Sequence, residues 1–255
     1  MTRQALKSKS QLPAVPQRLA RQVVDLLVPP TCPVTLQPVA EAGHLSPQGW
    51  SQLRLLEAPW CQACGFPFEF ALDAESLCAK CTIEAPVYQQ ARSAFAYTDG
   101  ARAMILRFKH GGHADGLAFF LRQLQRVGQD WQADTDALIP VPLHATRLWA
   151  RRYNQAAELA RGLGRAWGVP MISGALYRVR PTASQGHKSR ADRLANVKGA
   201  FAVRQTSKIH DKRLVLVDDV MTTGATVEAC AATLLKAGAR SVRVLTVARV
   251  LPSST

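Results

Sequence analysis

Residues 214–226 constrain this chain more than any other stretch: Leu-Val-Leu-Val-Asp-Asp-Val-Met-Thr-Thr-Gly-Ala-Thr. A run of apolar residues this short, bounded by polar ones, reads as a buried strand. The strand feeds two adjacent carboxylates, Asp218 and Asp219, and then a turn of Thr222, Thr223, Gly224, Ala225 and Thr226 that opens a helix predicted to reach about Lys236. In parallel α/β sheets, ligands bind just beyond the carboxyl ends of the strands. A helix N-terminus there presents unpaired N–H groups and the positive end of its dipole to an anion. Gly224 permits a tight turn with close backbone approach, and the hydroxyls of Thr222, Thr223 and Thr226 add donors. Two neighbouring carboxylates repel a phosphate, so they are expected to face the hydroxyls of a sugar. Simple capping of the next helix accounts for one aspartate, not for all thirteen residues. A phosphorylated ribose fits the whole string.

The remaining pattern supplies the scaffold. Strands are predicted at 93–97, 137–141 and 242–247, and helical segments at 102–108, 117–127 and 154–167. Gly238 closes the helix that ends near Lys236. Nearly all-apolar strands alternating with helices imply an α/β fold with a parallel sheet covered on both faces. Before it, residues 16–28 carry Leu19, Val23, Leu26 and Leu27 at helical spacing and stop at Pro29-Pro30. Residues 31–86 show no sustained period and are rich in proline and cysteine, as in a small module held by something other than a core. The expected division is a disordered tail (1–16), an N-terminal helix with a cysteine module (17–90) and the α/β domain (91–252).

No stretch approaches the roughly 20 apolar residues of a membrane span, and Asp25 interrupts the candidate at 23–28. No apolar signal region is present at the N-terminus. Both point to a cytoplasmic protein with no membrane span. The formal charge of +14 favours polyanions, or reflects a lineage that uses arginine freely; charge alone does not choose a partner.

Two basic stretches flank the α/β strands. Ile139-Pro140-Val141-Pro142-Leu143-His144 leads to Arg147, Arg151, Arg152, Tyr153, Asn154 and Gln155. Guanidinium groups grip phosphate oxygens in pairs, so Arg151 and Arg152 are candidates for a pyrophosphate arm; a solvated basic helix start is the alternative. Residues 178–190 are polar and glycine-bearing, and read either as a lid over the anion or as a loop without a catalytic role.

Five of the six cysteines lie between Cys32 and Cys81. Cys61-x-x-Cys64-Gly65 and Cys78-x-x-Cys81 make two thiolate pairs, the spacing of a tetrahedral structural zinc site. Cys230 stands apart in an alanine-rich helix and is expected to be a buried structural thiol.

The 214–226 string resembles the signature that binds phosphoribosyl pyrophosphate (PRPP) in type I phosphoribosyltransferases. Pro29-Pro30-Thr31-Cys32-Pro33, Cys61…Cys64-Gly65-Phe66-Pro67-Phe68, Arg151-Arg152-Tyr153-Asn154-Gln155 and Arg193…Asn196-Val197…Gly199-Ala200-Phe201 extend the resemblance, over roughly residues 20–250, to the ComF family, which includes the GntX proteins. The resemblance implies a type I phosphoribosyltransferase fold with an N-terminal zinc ribbon. It implies Asp218 and Asp219 on the ribose hydroxyls, residues 222–226 on the 5′-phosphate, and a Mg2+ ion arriving with PRPP. The implied chemistry is phosphoribosyl transfer to an unknown acceptor, linked to competence and DNA uptake. The alternative is a non-catalytic protein that handles single-stranded DNA or assembles with competence proteins; an oligomer is compatible with either. Many relatives carry eight ribbon cysteines. Here Thr35 and Leu45-Ser46-Pro47-Gln48-Gly49 replace ligands of the first ribbon, so one Zn2+ is expected, with Cys32 a leftover or a packed core thiol.

Overall fold

The structure, a computed structural model, describes residues 29–70, 72–73, 75–111, 114–143, 153–180, 197 and 199–252. The expected tail and the helix at 16–28 lie outside them. Among the described residues, the centre is a parallel sheet of four strands in the order β1-β6-β5-β2. They are β1 (Gln90–Ala96), β2 (Ala137–Pro140), β5 (Arg213–Met221) and β6 (Ser241–Arg249). Side-chain alternation explains why the central strands are apolar throughout. Val215, Val217, Leu245 and Val247 enter one core, while Leu214, Leu216, Val242 and Val244 enter the other. The first core is closed by helices α3 (Asp99–Gly111), α4 (Ala114–Gly128) and α5 (Gln155–Trp167), with Phe95, Phe108, Phe119 and Phe120 at its centre. The second is closed by α6 (Ala225–Lys236) and a two-stranded hairpin, β3 (Leu176–Arg178) with β4 (Phe201–Val203). Cys230 is fully buried in this second core, where burial pushes its thiol well up.

Two departures from the sequence expectation bear on the site. Strand β5 does not stop at Val217; it runs through both aspartates to Met221, with Asp218 opposite Thr246 and Met221 opposite Arg249. Parallel pairing uses backbone groups, so it continues past the point where the side chains turn polar. The β3–β4 hairpin had no signal, because three residues per strand show no period and the pairing spans a long gap in sequence. Arg178, expected to begin a lid, lies in β3 with its guanidinium 5.1 Å from the Phe201 ring centre; residues 181–190 lie outside the described residues.

The cysteine-rich segment leans on the β1 edge. Leu55 forms an antiparallel bridge with Phe95, and the Ala91 N–H donates to Ala63 O at 2.8 Å. Arg107 Nη1 on α3 donates to Pro33 O and Val34 O at 2.7 and 2.8 Å. Gly65 (φ +68°) sits so close that a Cβ would lie 2.4 Å from Ala91 O, so only glycine fits there.

Candidate functional site

The end of β5 brings the two acids and the turn together. Asp218 Oδ1 accepts from the Asp219 N–H at 2.8 Å, which orients the first carboxylate. Thr222 and Thr223 follow, and Gly224 at φ +86° makes the left-handed corner from which α6 starts at Ala225, one residue earlier than expected. The Ala225 N–H points to Thr223 Oγ1 at 3.4 Å. Across an open depression of about 430 Å3, Lys80, Cys81 and Tyr88 of the ribbon side face Thr223, Gly224 and Ala225. The sequence-selected residues Asp218, Asp219, Thr222, Thr223, Gly224, Ala225 and Thr226 thus form one continuous strand–turn–helix corner. Arg151, Arg152, His144 and Arg147 lie outside the described residues.

The acids have unequal surroundings. Burial, and then the neighbouring Asp219 charge, push the Asp218 carboxyl up to about 8, partly offset by Lys109 and Arg178. Asp219 forms an ion pair with Lys109, Nζ to Oδ2 2.9 Å, both side chains about 15% exposed. Because the folded pKa of Asp218 is above its unfolded value, the folded state binds the extra proton. Stability is therefore full below about pH 4 and is lost as the pH rises towards about 8. Asp218→Asn keeps the acceptor for the Asp219 N–H and removes the titration. We expect the variant to gain about 1–3 kcal/mol over the wild type between pH 5 and pH 8.5, measured by urea unfolding at both values.

Lys109 carried no signal in the sequence: it lies past the expected helix end at 108, in a polar stretch. In the structure it belongs to the last turn of α3, and the residues around Asn154 hold that turn. Tyr153 Oη donates to Phe108 O, Gln155 Nε2 donates to Lys109 O at 3.3 Å, and Asn154 Nδ2 donates to Val141 O, just past β2, at 3.0 Å. Asn154 Oδ1 also caps α5 by accepting from the Ala156 N–H at 3.1 Å.

The second constellation is a metal centre. The Sγ atoms of Cys61, Cys64, Cys78 and Cys81 all lie within 4.8 Å of one another, with Cys64 and Cys78 at 3.7 Å. Zn–S bonds of about 2.3 Å put tetrahedral sulfurs about 3.8 Å apart, so these donors fit zinc. The first pair sits on a knuckle: the Gly65 N–H donates to Cys61 O at 2.8 Å, and the Cys64 N–H points to Cys61 Sγ at 3.5 Å. Four thiolates around Zn2+ leave a net charge of −2, and two buried guanidinium groups of the sheet stand beside them. Arg249 Nη1 donates to Cys64 O, with its guanidinium 5.6 Å from the Phe66 ring centre. Arg92 donates to Gln62 O and Ala91 O and packs over Trp60. Burial draws Arg92 down to about 10 against the pull of the thiolates, so it stays cationic at neutral pH.

Residues 31–49 repeat the ribbon with Cys32 as the sole cysteine at the ligand positions. The Cys32 N–H donates to Gln37 O at 2.7 Å as that of Cys61 does to Phe66 O, and Leu36 (φ +63°) stands where Gly65 (φ +68°) does. Ser46 caps the short helix α1 (Pro47–Ser51) where Cys78 begins α2 (Ala79–Ile83). In place of four sulfurs around an ion, Thr35 Oγ1 and Ser46 Oγ are 3.0 Å apart, and Ser46 Oγ donates to Cys32 Sγ at 3.5 Å. A Cβ on Gly49 would lie 2.7 Å from Cys32 Sγ, so the sulfur fills that space. Cys32 is a packed core thiol, fully buried; burial works to raise it, but hydrogen bonds from Ser46 and Thr35 outweigh that and lower it to about 7.

Two domain families match the chain. The double zinc ribbon domain family matches residues 23–82, and the phosphoribosyl transferase domain family matches residues 154–252. Competence protein F of Haemophilus influenzae is 30% identical over 206 residues, covering 78% of this chain and 88% of that protein. The chain belongs to the ComF family. Within it, DNA utilization protein YhgH of Salmonella typhimurium is 32% identical, covering 75% of this chain and 84% of its own. Competence protein ComFC of Bacillus subtilis is 28% identical over 74% and 76%. This ComF-family chain therefore joins a parallel-sheet phosphoribosyltransferase-type domain to a double ribbon in which the described residues hold one four-cysteine cluster. Among the described residues, no helix is long and apolar enough to cross a membrane.

Proposed function

We propose that this ComF-family chain binds Mg–PRPP at the end of β5 and transfers the phosphoribosyl group to an acceptor, releasing pyrophosphate. One observation carries the reading: two acids at the carboxyl end of a central parallel strand adjoin a glycine corner that opens a twelve-residue helix. The corner suits a 5′-phosphate, which draws on backbone N–H groups and threonine hydroxyls. The acids suit the 2′- and 3′-hydroxyls, which donate to carboxylates. In transfer, a nucleophile of the acceptor bonds to the anomeric carbon as the bond to the pyrophosphate oxygen breaks, and the electron pair leaves with pyrophosphate. Mg2+ would supply charge neutralisation on the pyrophosphate oxygens, held mainly by substrate and water rather than by a protein cage. Arg151 or Arg152 is assigned to the pyrophosphate on the basis of position in sequence. The names of the relatives, which speak of competence and DNA utilization, support a setting in DNA handling.

The test is calorimetric titration of the zinc-loaded protein with PRPP, with and without Mg2+. Saturable, magnesium-dependent binding is expected. Absence of binding would end the reading and leave the cationic surface, with its net charge of +14, as a candidate site for single-stranded DNA. Affinity for DNA would then fall steeply with salt.

A further inference from the structure

We infer that Lys109 is a positioning residue of the sugar site, holding the Asp219 carboxylate where the ribose hydroxyls meet it, and that Tyr153 and Gln155 set the backbone from which it reaches. The inference rests on the PRPP reading and adds to it a residue that none of the site motifs contains. Lys109 Nζ lies 2.9 Å from Asp219 Oδ2, with the two side chains 16% and 15% exposed. A lysine carries a flexible stem and a point charge; its partner is well fixed only if its backbone is. That backbone is held from outside its own helix. Gln155, itself 1% exposed, donates to Lys109 O, and Tyr153 Oη donates to the carbonyl one residue earlier. Asn154, between them, donates to Val141 O past the end of β2, the strand next to β5. One tripeptide thus fixes the lysine that pairs with Asp219 and the strand end beside the acids.

The ion pair also keeps the two acids distinct. Asp219 has a cation at contact distance, with one oxygen engaged and the other available as an acceptor. Asp218 is held in place by the Asp219 N–H. Without Lys109, the Asp219 side chain would lose the partner that fixes its direction and would be free to rotate. A sugar hydroxyl would then meet an acceptor of altered direction.

The experiment is calorimetry of wild type, Lys109→Met and Lys109→Arg with three probes: Mg–PRPP, ribose 5-phosphate and Mg–pyrophosphate. Removing one member of a sheltered charge pair is expected to weaken both ribose-containing probes by roughly 30-fold or more. Mg–pyrophosphate should be affected less than about threefold, and Lys109→Arg should recover most of the loss. Unchanged ribose 5-phosphate affinity in Lys109→Met overturns the inference, as does a loss confined to Mg–pyrophosphate, which would make Lys109 a pyrophosphate ligand. Failure of the wild type to bind any ribose probe removes the PRPP reading and this role with it, whereas wild-type binding with an indifferent Lys109→Met removes only the role. Melting curves of the variants separate both from misfolding: loss in both variants together with a lowered Tm marks a structural lysine and counts against the inference.

Discussion

Replacing Asp218 and Asp219 together by asparagine is expected to abolish saturable Mg–PRPP binding while leaving the fold intact. A carboxylate offers two oxygens and no donor; an asparagine offers one acceptor oxygen and turns two N–H donors towards the sugar. A hydrogen bond to a charged group is worth about 1.5–3 kcal/mol and one to a neutral group about 0.5–1.5 kcal/mol, so losing one at Asp219 and one at the Asp218 carboxyl, which is held up to about 8, weakens binding by at least about 30-fold. The effect on stability is smaller because two changes oppose each other. Asparagine at 218 removes a carboxyl that burial and Asp219 hold up to about 8, which stabilises the fold near neutral pH. Asparagine at 219 leaves the Lys109 ammonium without its carboxylate, which destabilises it. Calorimetry together with a melting curve checks both halves; full PRPP affinity in the double variant would show that the acids do not touch the sugar.

Cys64→Ser, or removal of the metal by a chelator, is the change of greatest structural consequence. The wild type is expected to contain one zinc per chain by elemental analysis and Cys64→Ser close to none. Structural zinc contributes about 10–16 kcal/mol to small zinc-finger peptides at neutral pH, and the three-cysteine cluster left by the variant has few apolar neighbours to replace it. The α/β domain has its own cores. Hydrogen exchange should therefore show residues 59–85 opening while the central strands β5 and β6 stay protected. Arg249→Met tests the charge balance at the same centre: it should keep one zinc but release it to a chelator about tenfold faster, as expected when an outer partner of a metal ligand is removed. Two zinc ions per wild-type chain would overturn the single-ion reading and require Cys32, Thr35, Ser46 and Gly49 to admit a metal that their packing excludes.

The legibility of the site in the sequence followed the range of the interactions that build it. The string 214–226 was readable because strand, acids, glycine corner and helix start are consecutive, so local chemistry specifies all of them. The cysteine pairs were readable for the same reason. The true end of β5 was not, because pairing with β6, not the residues' own polarity, carries the strand through Asp218 and Asp219. The Tyr153-Asn154-Gln155 string was visible as a family feature without a role, since its hydrogen bonds go to carbonyls at 108, 109 and 141.

Alone, then, the sequence determined the parallel α/β class, the strand–turn–helix corner with its two acids and the four-cysteine cluster. Each depends on residues adjacent in the chain or on a period of two or 3.6 that burial imposes locally. Only the tertiary structure decided which groups surround those motifs. Lys109 reaches Asp219 from 110 residues away in sequence. Arg92 and Arg249, on neighbouring strands, converge on one metal cluster. The ribbon stands beside the glycine corner across a shared depression. Such contacts are set by sheet order and by the packing of elements over it, and no local pattern in the chain encodes a charge that another element must supply.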